Sequence, residues 1–201
     1  YDECVAMSRL GAEVLQQQAA EMARKYRIPV VMGNFRQADG PTTHIGSRQV
    51  GVRDDRVTAV VDQPRLLVFD LADASERLAM QIAERLERRR LTFYQVSGGQ
   101  GKARFAVRPL KYRDVEMIVT EVIASRGVSA EINTSDFALV SVVGEALRQR
   151  LEAWADQAER VLAAAGVEVH GANQDDISLS YLVRETDRQK AVAHLHRELV
   201  L

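Results

Sequence analysis

The last third of the chain, residues 137–201, alternates apolar runs typical of strands with apolar stripes typical of helices. Residues 137–144 form a nearly continuous apolar run rich in β-branched side chains, which is typical of a sheet strand covered on both faces. Apolar residues then recur at helical spacing over 147–165, and Gly166 follows where a C-terminal cap is expected. The pattern predicts a strand followed by a helix.

The end of this region predicts a hairpin and a second helix. Residues 167–172 and 176–183 indicate two strands, and the polar residues 173–175 between them indicate a turn. Thr186 is expected to begin the last helix, whose inner side carries apolar residues.

The same order of elements occurs once before, beginning with a strand at 65–71. Asp73 is a candidate helix N-cap, and Glu76 three residues later completes a capping-box pattern. An apolar stripe at helical spacing follows, formed by Leu78, Ile82 and Leu86. Strands at 91–96 and 102–107 flank a Gly-rich turn at 97–101.

This first copy closes with a helix at 114–125 and a short strand at 128–133. The sequence therefore predicts an α+β protein with two copies of one unit, each about 65–70 residues long. Such small units bury proportionately little surface, so we expect their two sheets, or the sheets of two chains, to cover each other.

The opening of the chain predicts short elements with little apolar surface. They are a partly helical stretch at 1–15 broken at Gly11, a helix at 16–26, a strand at 28–32, a loop at 34–46 and a strand at 56–62. We interpret residues 1–46 as the end of a larger domain whose beginning is missing. The first residue is Tyr1 rather than Met, which also suggests a fragment.

Composition excludes several classes of protein. The net charge of -1 gives no reason to expect nucleic-acid binding, which needs a concentrated basic face. No apolar run reaches the roughly 18–20 residues that span a bilayer, so no membrane association is expected. A lone cysteine, Cys4, and the lack of a signal peptide suit a reducing cytoplasm.

The candidate catalytic features favour structural interpretations. The basic run 85–90 lies at a predicted helix end, where cations suit the helix dipole. Gly98-Gly99 lies between two strands, so a hairpin turn is favoured over a phosphate-binding loop, which should lead into a helix. The four histidines lack the spacing of a metal site. We expect no catalytic residue, no metal and no cofactor in this chain.

Several segments resemble the aspartate kinase (aspartokinase) family over nearly the whole chain. They are YDE at 1–3 with SRLGAEVLQ at 8–16, AEMARKYRIPV at 20–30, VTAVV at 57–61, SVVG at 141–144 and AVAHLHREL at 191–199. The Leu-Gly-Ala-x-Val-Leu and Leu-His segments are fairly specific to that family. The strand and helix pattern alone is not specific.

The resemblance implies a fold for each part. Each unit would be a ferredoxin-like (βαββαβ) ACT domain, and the pair would follow the C-terminal end of an amino-acid-kinase α/β domain. The implied bounds are 1–46 for the kinase remnant, 64–134 for ACT domain 1, and 55–63 plus 135–201 for ACT domain 2. In this family the second ACT domain borrows a strand from before the first, and 56–62 is well placed for that role.

The resemblance also implies a function. Such kinases are transferases that phosphorylate L-aspartate with ATP and Mg in lysine, threonine and methionine biosynthesis. Their ACT regions bind lysine or threonine and inhibit the kinase allosterically. The implied partners are the kinase domain of the same protein and a second copy of the chain, in a cytoplasmic homodimer or higher homo-oligomer.

An effector site is expected where each first strand turns into its helix. Backbone N–H groups at a helix N-terminus attract the carboxylate of an amino acid, and nearby acidic side chains accept hydrogen bonds from its ammonium. The candidate effector-binding residues are Asp70, Ala72, Asp73, Ala74 and Ser75, with Ser97, Gly98, Asn173 and Gln174 facing them. The alternative is that Asp73 only caps a helix and Asn173 only makes a turn. The tandem units would then be a structural dimerisation module without an effector.

Overall fold

A computed structural model describes residues 1–12, 15–37, 39–47, 56–71, 76–98, 102–125 and 130–200. Two helices come first, α1 (Asp2–Arg9) and α2 (Gln17–Tyr26). Gly11 separates them at a φ of +117°, which confirms the predicted break. Strands β1 (Val30–Gly33) and β2 (Thr42–Ile45) then form a small antiparallel sheet. The prediction of a loop throughout 34–46 is wrong at β2, where Ile45 is the only buried residue.

Six further strands form a closed antiparallel barrel in the order β3-β5-β4-β7-β8-β6. The elements are β3 (Ala59–Leu71), α3 (Glu76–Arg88), β4 (Phe93–Gly98), β5 (Lys102–Val107), α4 (Tyr112–Ala124), β6 (Ala130–Val143), α5 (Leu151–Ala164), β7 (Gly171–Asp175), β8 (Ser178–Arg184) and α6 (Arg188–Leu199). We call residues 65–133 the first unit and residues 137–200 the second unit. The strand and helix order repeats between them, as the sequence predicts.

The two long strands β3 and β6 each replace two predicted strands. The pairing of β3 with β6 runs from Ala59 opposite Val143 to Leu71 opposite Ala130. Pro64 does not end β3, because the register of the pairing shifts between Gln63 and Leu66. Proline lacks an N–H and is tolerated at such irregularities. Each long strand therefore contributes one end to each unit.

The first end of β3 lies beside the second unit. Ala59 to Gln63 pair with Val143 to Leu139 of β6, whose other edge pairs with β8. Arg188 at the start of α6 holds this segment, since it lies 2.5 Å from a carboxylate oxygen of Asp62 and 2.7 Å from one of Glu185. These hydrogen bonds raise the pKa of Arg188. This pairing is the one that a strand borrowed by the second unit would make. The predicted bounds of the two ACT domains remain predictions.

Helices cover the outside of the barrel in two groups. Helices α3 and α4 pack on the first unit around Phe69, Ile82 and Phe105, and helices α5 and α6 pack on the second around Leu162 and Leu195. The inner face carries a third cluster, formed by Leu66, Val68, Tyr94, Val96, Ala106, Phe137, Leu139 and Leu182. The fold thus buries one apolar layer beneath the helices and another inside the barrel.

The entry into α5 differs from the predicted continuous helix over 147–165. A short 3-10 helix at Glu145–Gln149 comes first, and α5 begins only at Leu151. Gly166 follows α5 at a φ of +63°, which confirms the predicted cap. The last helix also begins later than expected, because Thr186 lies in a 3-10 helix and α6 starts at Arg188.

The hairpin of the second unit lies further along the chain than predicted. Asn173 and Gln174 lie within β7, so their assignment to a turn is wrong; the turn falls at Asp176 and Ile177. Exposed polar residues in β7 pair with β8, for example Asn173 opposite Ser180, so hydrophobic patterning could not reveal this strand. In the first unit, Ser97 and Gly98 likewise end a strand rather than belong to the turn.

Candidate functional site

The two units meet where β4 pairs with β7, and we call this junction the seam. The two strands pair in register at Ser97 and Ala172. Two of the predicted effector segments, the end of β4 and residues 173–174, therefore lie next to each other. Asn173 lies opposite Ser180 and lines the inner face, whereas its neighbour Gln174 lies opposite Leu179 on the other face. The side chains of Asn173 and Gln174 cannot contact one ligand on the same side of the sheet.

Asp70 lies at the inner face of the first unit and already has a cationic partner. It forms an ion pair with Arg104, the residue opposite it on β5. The side chain of Asp70 is only 14% exposed. Arg104 also donates a hydrogen bond to the carbonyl oxygen of His170 in the second unit. One guanidinium therefore links the first unit to the second.

Of the two turns that lead into the first helix of a unit, only the turn of the second unit lies within the described residues. Ala72, Asp73, Ala74 and Ser75 lie outside the described residues, so their part in the site stays a prediction. The corresponding turn of the second unit is the 3-10 helix at Glu145–Gln149, where Arg148 lies 3.2 Å from Glu145.

His170 sits beside the Arg104 link and packs against an aromatic ring. Its ring meets Phe137 edge to face at 5.3 Å, and the guanidinium of Arg184 lies 4.8 Å from the centre of the same Phe137 ring. Among the described residues, the buried Nε2 of His170 has no hydrogen-bond partner, and Glu168 is 3.7 Å away. Burial lowers the pKa of His170, Arg184 and Arg104 lower it further, and Glu168 opposes them.

Sequence reasoning missed Arg104 and His170. The signal for Arg104 was a charged residue at an inward position of β5, two residues before the buried Ala106. His170 carried no such signal, because it precedes β7 and its neighbours in space come from distant segments. Asp70 is therefore not a free acidic group. It belongs to a linked set of Asp70, Arg104 and His170.

The low pKa of His170 predicts a loss of stability in mild acid. The unfolded chain takes up the proton near a pH of about 6.5, whereas the folded chain resists it. The free energy of unfolding should therefore be highest above that pH and fall as the pH drops through it. Urea unfolding between about pH 8 and pH 5.5 measures this.

His170→Gln should reduce that pH dependence, and His196→Gln at an exposed position of α6 is the matched control. An unchanged pH profile in His170→Gln would contradict the prediction.

Two further properties hold for the described part of the chain. It contains no group of three or more His, Cys, Asp or Glu side chains that could hold a metal ion. None of its helices is long and apolar enough to cross a membrane.

Comparisons with known proteins point to one family. No family model matches the chain. The aspartokinase of Pseudomonas aeruginosa is 23% identical over 204 residues, which cover 98% of this chain and 49% of the relative. The aspartokinase of Mycobacterium bovis is 25% identical over 211 residues, with the same coverage of 98% and 49%. The chain thus spans about half the length of the curated relatives it matches.

Solved structures with this fold come from the same group of proteins. An aspartate kinase of Clostridium acetobutylicum has a TM-score of 0.79 at 20% identity, covering 98% of this chain and 47% of that one. The regulatory subunit of aspartate kinase from Thermus thermophilus has a TM-score of 0.60 at 19% identity and covers 73% of this chain and 99% of its own. Escherichia coli aspartokinase III, solved with lysine and aspartate, has a TM-score of 0.69 at 15% identity and covers 98% and 45%.

Nearly the whole of the regulatory subunit therefore matches within this chain, and the two units have its α+β fold. The predicted resemblance is confirmed: the chain resembles the aspartate kinase family, in its C-terminal regulatory region with tandem ACT domains.

Proposed function

We propose that this chain is the regulatory part of an aspartate kinase and that it binds an end-product amino acid, lysine or threonine, at the seam. The whole enzyme would phosphorylate L-aspartate with ATP and Mg²⁺. Its catalytic groups would lie in the half of the relatives that this chain does not span. Binding at the seam would inhibit the kinase in a cytoplasmic enzyme of amino-acid biosynthesis.

The observation that carries this proposal is the Arg104 link between the units. Arg104 holds both Asp70 of the first unit and the His170 carbonyl of the second. A bound amino acid offers a carboxylate to Arg104 and an ammonium to Asp70. It would therefore take the place of the ion pair between these two residues. A ligand shifts a conformational equilibrium only through different affinities for the two states. Breaking or replacing a contact between units supplies such a difference.

The complex of E. coli aspartokinase III with lysine and aspartate supports the choice of ligand by similarity of fold. The match with that structure covers 98% of this chain. We therefore include lysine as the first effector to test and threonine as the second.

The surface of the opening segment supports a kinase domain as a partner. Large apolar side chains are exposed on α2, on β1 and in the connections beside them, namely Met22, Tyr26, Ile28, Val31 and Phe35. Clustered exposed apolar residues mark surfaces that another part of the protein covers. We propose that the kinase domain of the same protein covers this surface, and that a second copy pairs through the sheets.

Calorimetric titration of the chain with lysine and with threonine tests effector binding. We expect heat from at least one of them, and a loss of affinity of about tenfold or more in Asp70→Asn, because a hydrogen-bonded charge pair with the ammonium is removed. Glu121→Gln is the matched control, since Glu121 forms an exposed ion pair with Arg85 on the outer helices. No heat with either amino acid would count against effector binding.

A structural role without an effector is the second candidate. It is favoured by the same ion pair, because Asp70 already has Arg104 as its partner and needs no ligand. Light scattering with the titration above separates the two functions. An oligomer that forms without amino acids, and that shows no binding of lysine or threonine, supports the structural role.

A further inference from the structure

Helix α1 contacts both units of the barrel, one at each of its ends. At its C-terminal end, the carbonyl oxygen of Arg9 accepts a hydrogen bond from the Tyr94 hydroxyl of β4, at 3.2 Å. Leu10 packs against the inner-face cluster, to which Tyr94 belongs. Gly11 approaches β3 so closely that a Cβ there would lie 2.6 Å from the carbonyl oxygen of Asp62. This end of α1 is therefore seated on β4 of the first unit and on β3.

The N-terminal end of α1 contacts the second unit through the side chain of Glu3. Its carboxylate oxygen Oε1 accepts a hydrogen bond from the backbone N–H of Glu145 at 2.9 Å, and another from the Thr58 hydroxyl. Glu145 begins the 3-10 helix that precedes α5. Thr58 lies just before β3, and its own N–H bonds the carbonyl oxygen of Val143 at 2.8 Å. One charged acceptor thus joins the opening segment to two segments beside the second unit, and such hydrogen bonds are stronger than neutral ones.

The neighbouring acidic residue makes a different contact. Asp2 lies in the same turn of α1, but it pairs with Arg24 of α2 at 3.2 Å, within the opening segment. Both side chains of this pair are about half exposed, and exposed ion pairs contribute little to stability. Glu3, in contrast, fixes the position of α1 relative to the second unit.

The seam is the weaker of the junctions between the two units. Within the described part of the chain, β4 and β7 pair in register at Ser97 and Ala172 alone, whereas β3 and β6 pair from Ala59 to Leu71. Regions with few hydrogen bonds open locally at a lower cost in free energy than extended pairings. The seam can therefore open while the long strands stay paired. Because α1 is attached to β4 and to the second unit, such an opening must strain one of its two attachments.

We propose that α1 couples the seam to the opening segment, with Glu3 as the positioning residue at the second unit. When the seam opens, α1 loses one attachment and moves with the unit that it still holds. The coupling uses only residues of this chain and needs no ligand. Its use in controlling a kinase rests on the proposed function, whereas the contacts and the experiments that test them do not.

Amide hydrogen exchange of the full chain tests the contact at Glu3. Glu3→Ala removes the acceptor of the Glu145 N–H, so the Glu145 amide and the amides of α1 should exchange about tenfold faster or more. Asp2→Ala is the matched control, because it removes an acidic residue from the same helical turn and has a similar effect on the helix dipole. It should leave the exchange of the Glu145 amide unchanged. Equal exchange of this amide in the two variants would overturn the contact.

Arg104→Gln tests the coupling, because it breaks the link between the units without touching α1. We expect the α1 amides to exchange at least about fivefold faster, and Arg104→Gln to add less than about twofold when Glu3→Ala is already present. Arg85→Gln is the matched control, since it breaks an exposed ion pair with Glu121 on the outer helices. Unchanged α1 exchange in a folded Arg104→Gln chain would overturn the coupling.

Tyr94→Phe keeps the test decisive if Arg104→Gln does not fold. It removes the hydroxyl that bonds the Arg9 carbonyl and should speed α1 exchange about threefold or more, the effect of one neutral hydrogen bond. Tyr112→Phe is its control, because the Tyr112 hydroxyl bonds Glu116 within α4. Equal α1 exchange in the two variants would overturn the attachment at β4 and with it the coupling.

These experiments contain no amino acid and are independent of effector binding. Unchanged α1 exchange in the variants would overturn the coupling and leave the proposed function standing. Absence of heat with lysine and threonine would count against effector binding, while faster α1 exchange in Glu3→Ala and Arg104→Gln would still support the coupling.

Discussion

Leu162→Ala is expected to lower the free energy of unfolding by about 2–5 kcal/mol, as is usual for a large core side chain cut to a methyl group. Leu162 is fully buried in the cluster between α5 and the barrel. Truncation leaves a cavity that the close-packed surroundings fill only in part. Urea unfolding followed by circular dichroism measures the change. Met80→Ala, at an exposed position of α3, should change stability by less than about 0.5 kcal/mol.

Ile82→Ala makes the matching change in the first unit, where Ile82 of α3 is fully buried. Because β3 and β6 each run through both units, we expect the protein to unfold in one common transition. Ile82→Ala and Leu162→Ala should each lower the urea midpoint of that transition. Two separate transitions, each moved by only one of the variants, would contradict this coupling.

Gly144→Ala is expected to lower the free energy of unfolding by about 1–3 kcal/mol, the usual effect of overpacking. An added Cβ would lie 2.8 Å from both the nitrogen of Thr58 and the Cα of Val57. These are backbone atoms of the segment that leads into β3, so the backbone itself must move. Gly46→Ala is the matched control, because nothing lies within 4 Å of its Cβ position. Thermal and urea unfolding measure both variants, and equal stability of the two would contradict the steric explanation.

Elements with a strong apolar pattern could be predicted from the sequence. The strand at 102–107 has the bounds of β5, and α2 begins one residue after the predicted start and ends at the predicted residue. Helix α4, predicted at 114–125, buries Val115, Ile118, Val119 and Val122, which recur at helical spacing. In each case the buried face repeats at the period of the element, so burial leaves a direct trace in the sequence.

Elements that hold polar residues could not be predicted in this way. Strands β2 and β7 expose most of their side chains and are fixed by backbone pairing with a neighbour. The continuity of β3 across Pro64 also depends on its pairing partner, since the irregularity at Pro64 is absorbed in the register with β6. Pairing of this kind is a property of the tertiary structure.

The candidate site was predictable only in part. The sequence placed Asp70, Ser97 and Asn173 among the effector residues, and the structure places Ser97 next to β7, which holds Asn173, and Asp70 at the Arg104 link. The partners of that link, Arg104 and His170, belong to strands and loops far apart in the chain. Local patterns in a sequence do not specify which distant residues form an ion pair, so this part required the structure.

The long strands β3 and β6 also restrict how the protein can be divided. A genetic cut between the two ends of β6, within 134–136, would leave the N-terminal fragment with the first end of β3 unpaired. The C-terminal fragment would keep the second end of β6 without its β3 partner. Unpaired strand edges attract other strands, so such fragments would tend to self-associate. The two units are therefore unsuited to exchange as independent modules, and recombination between related genes would have to preserve both strands together.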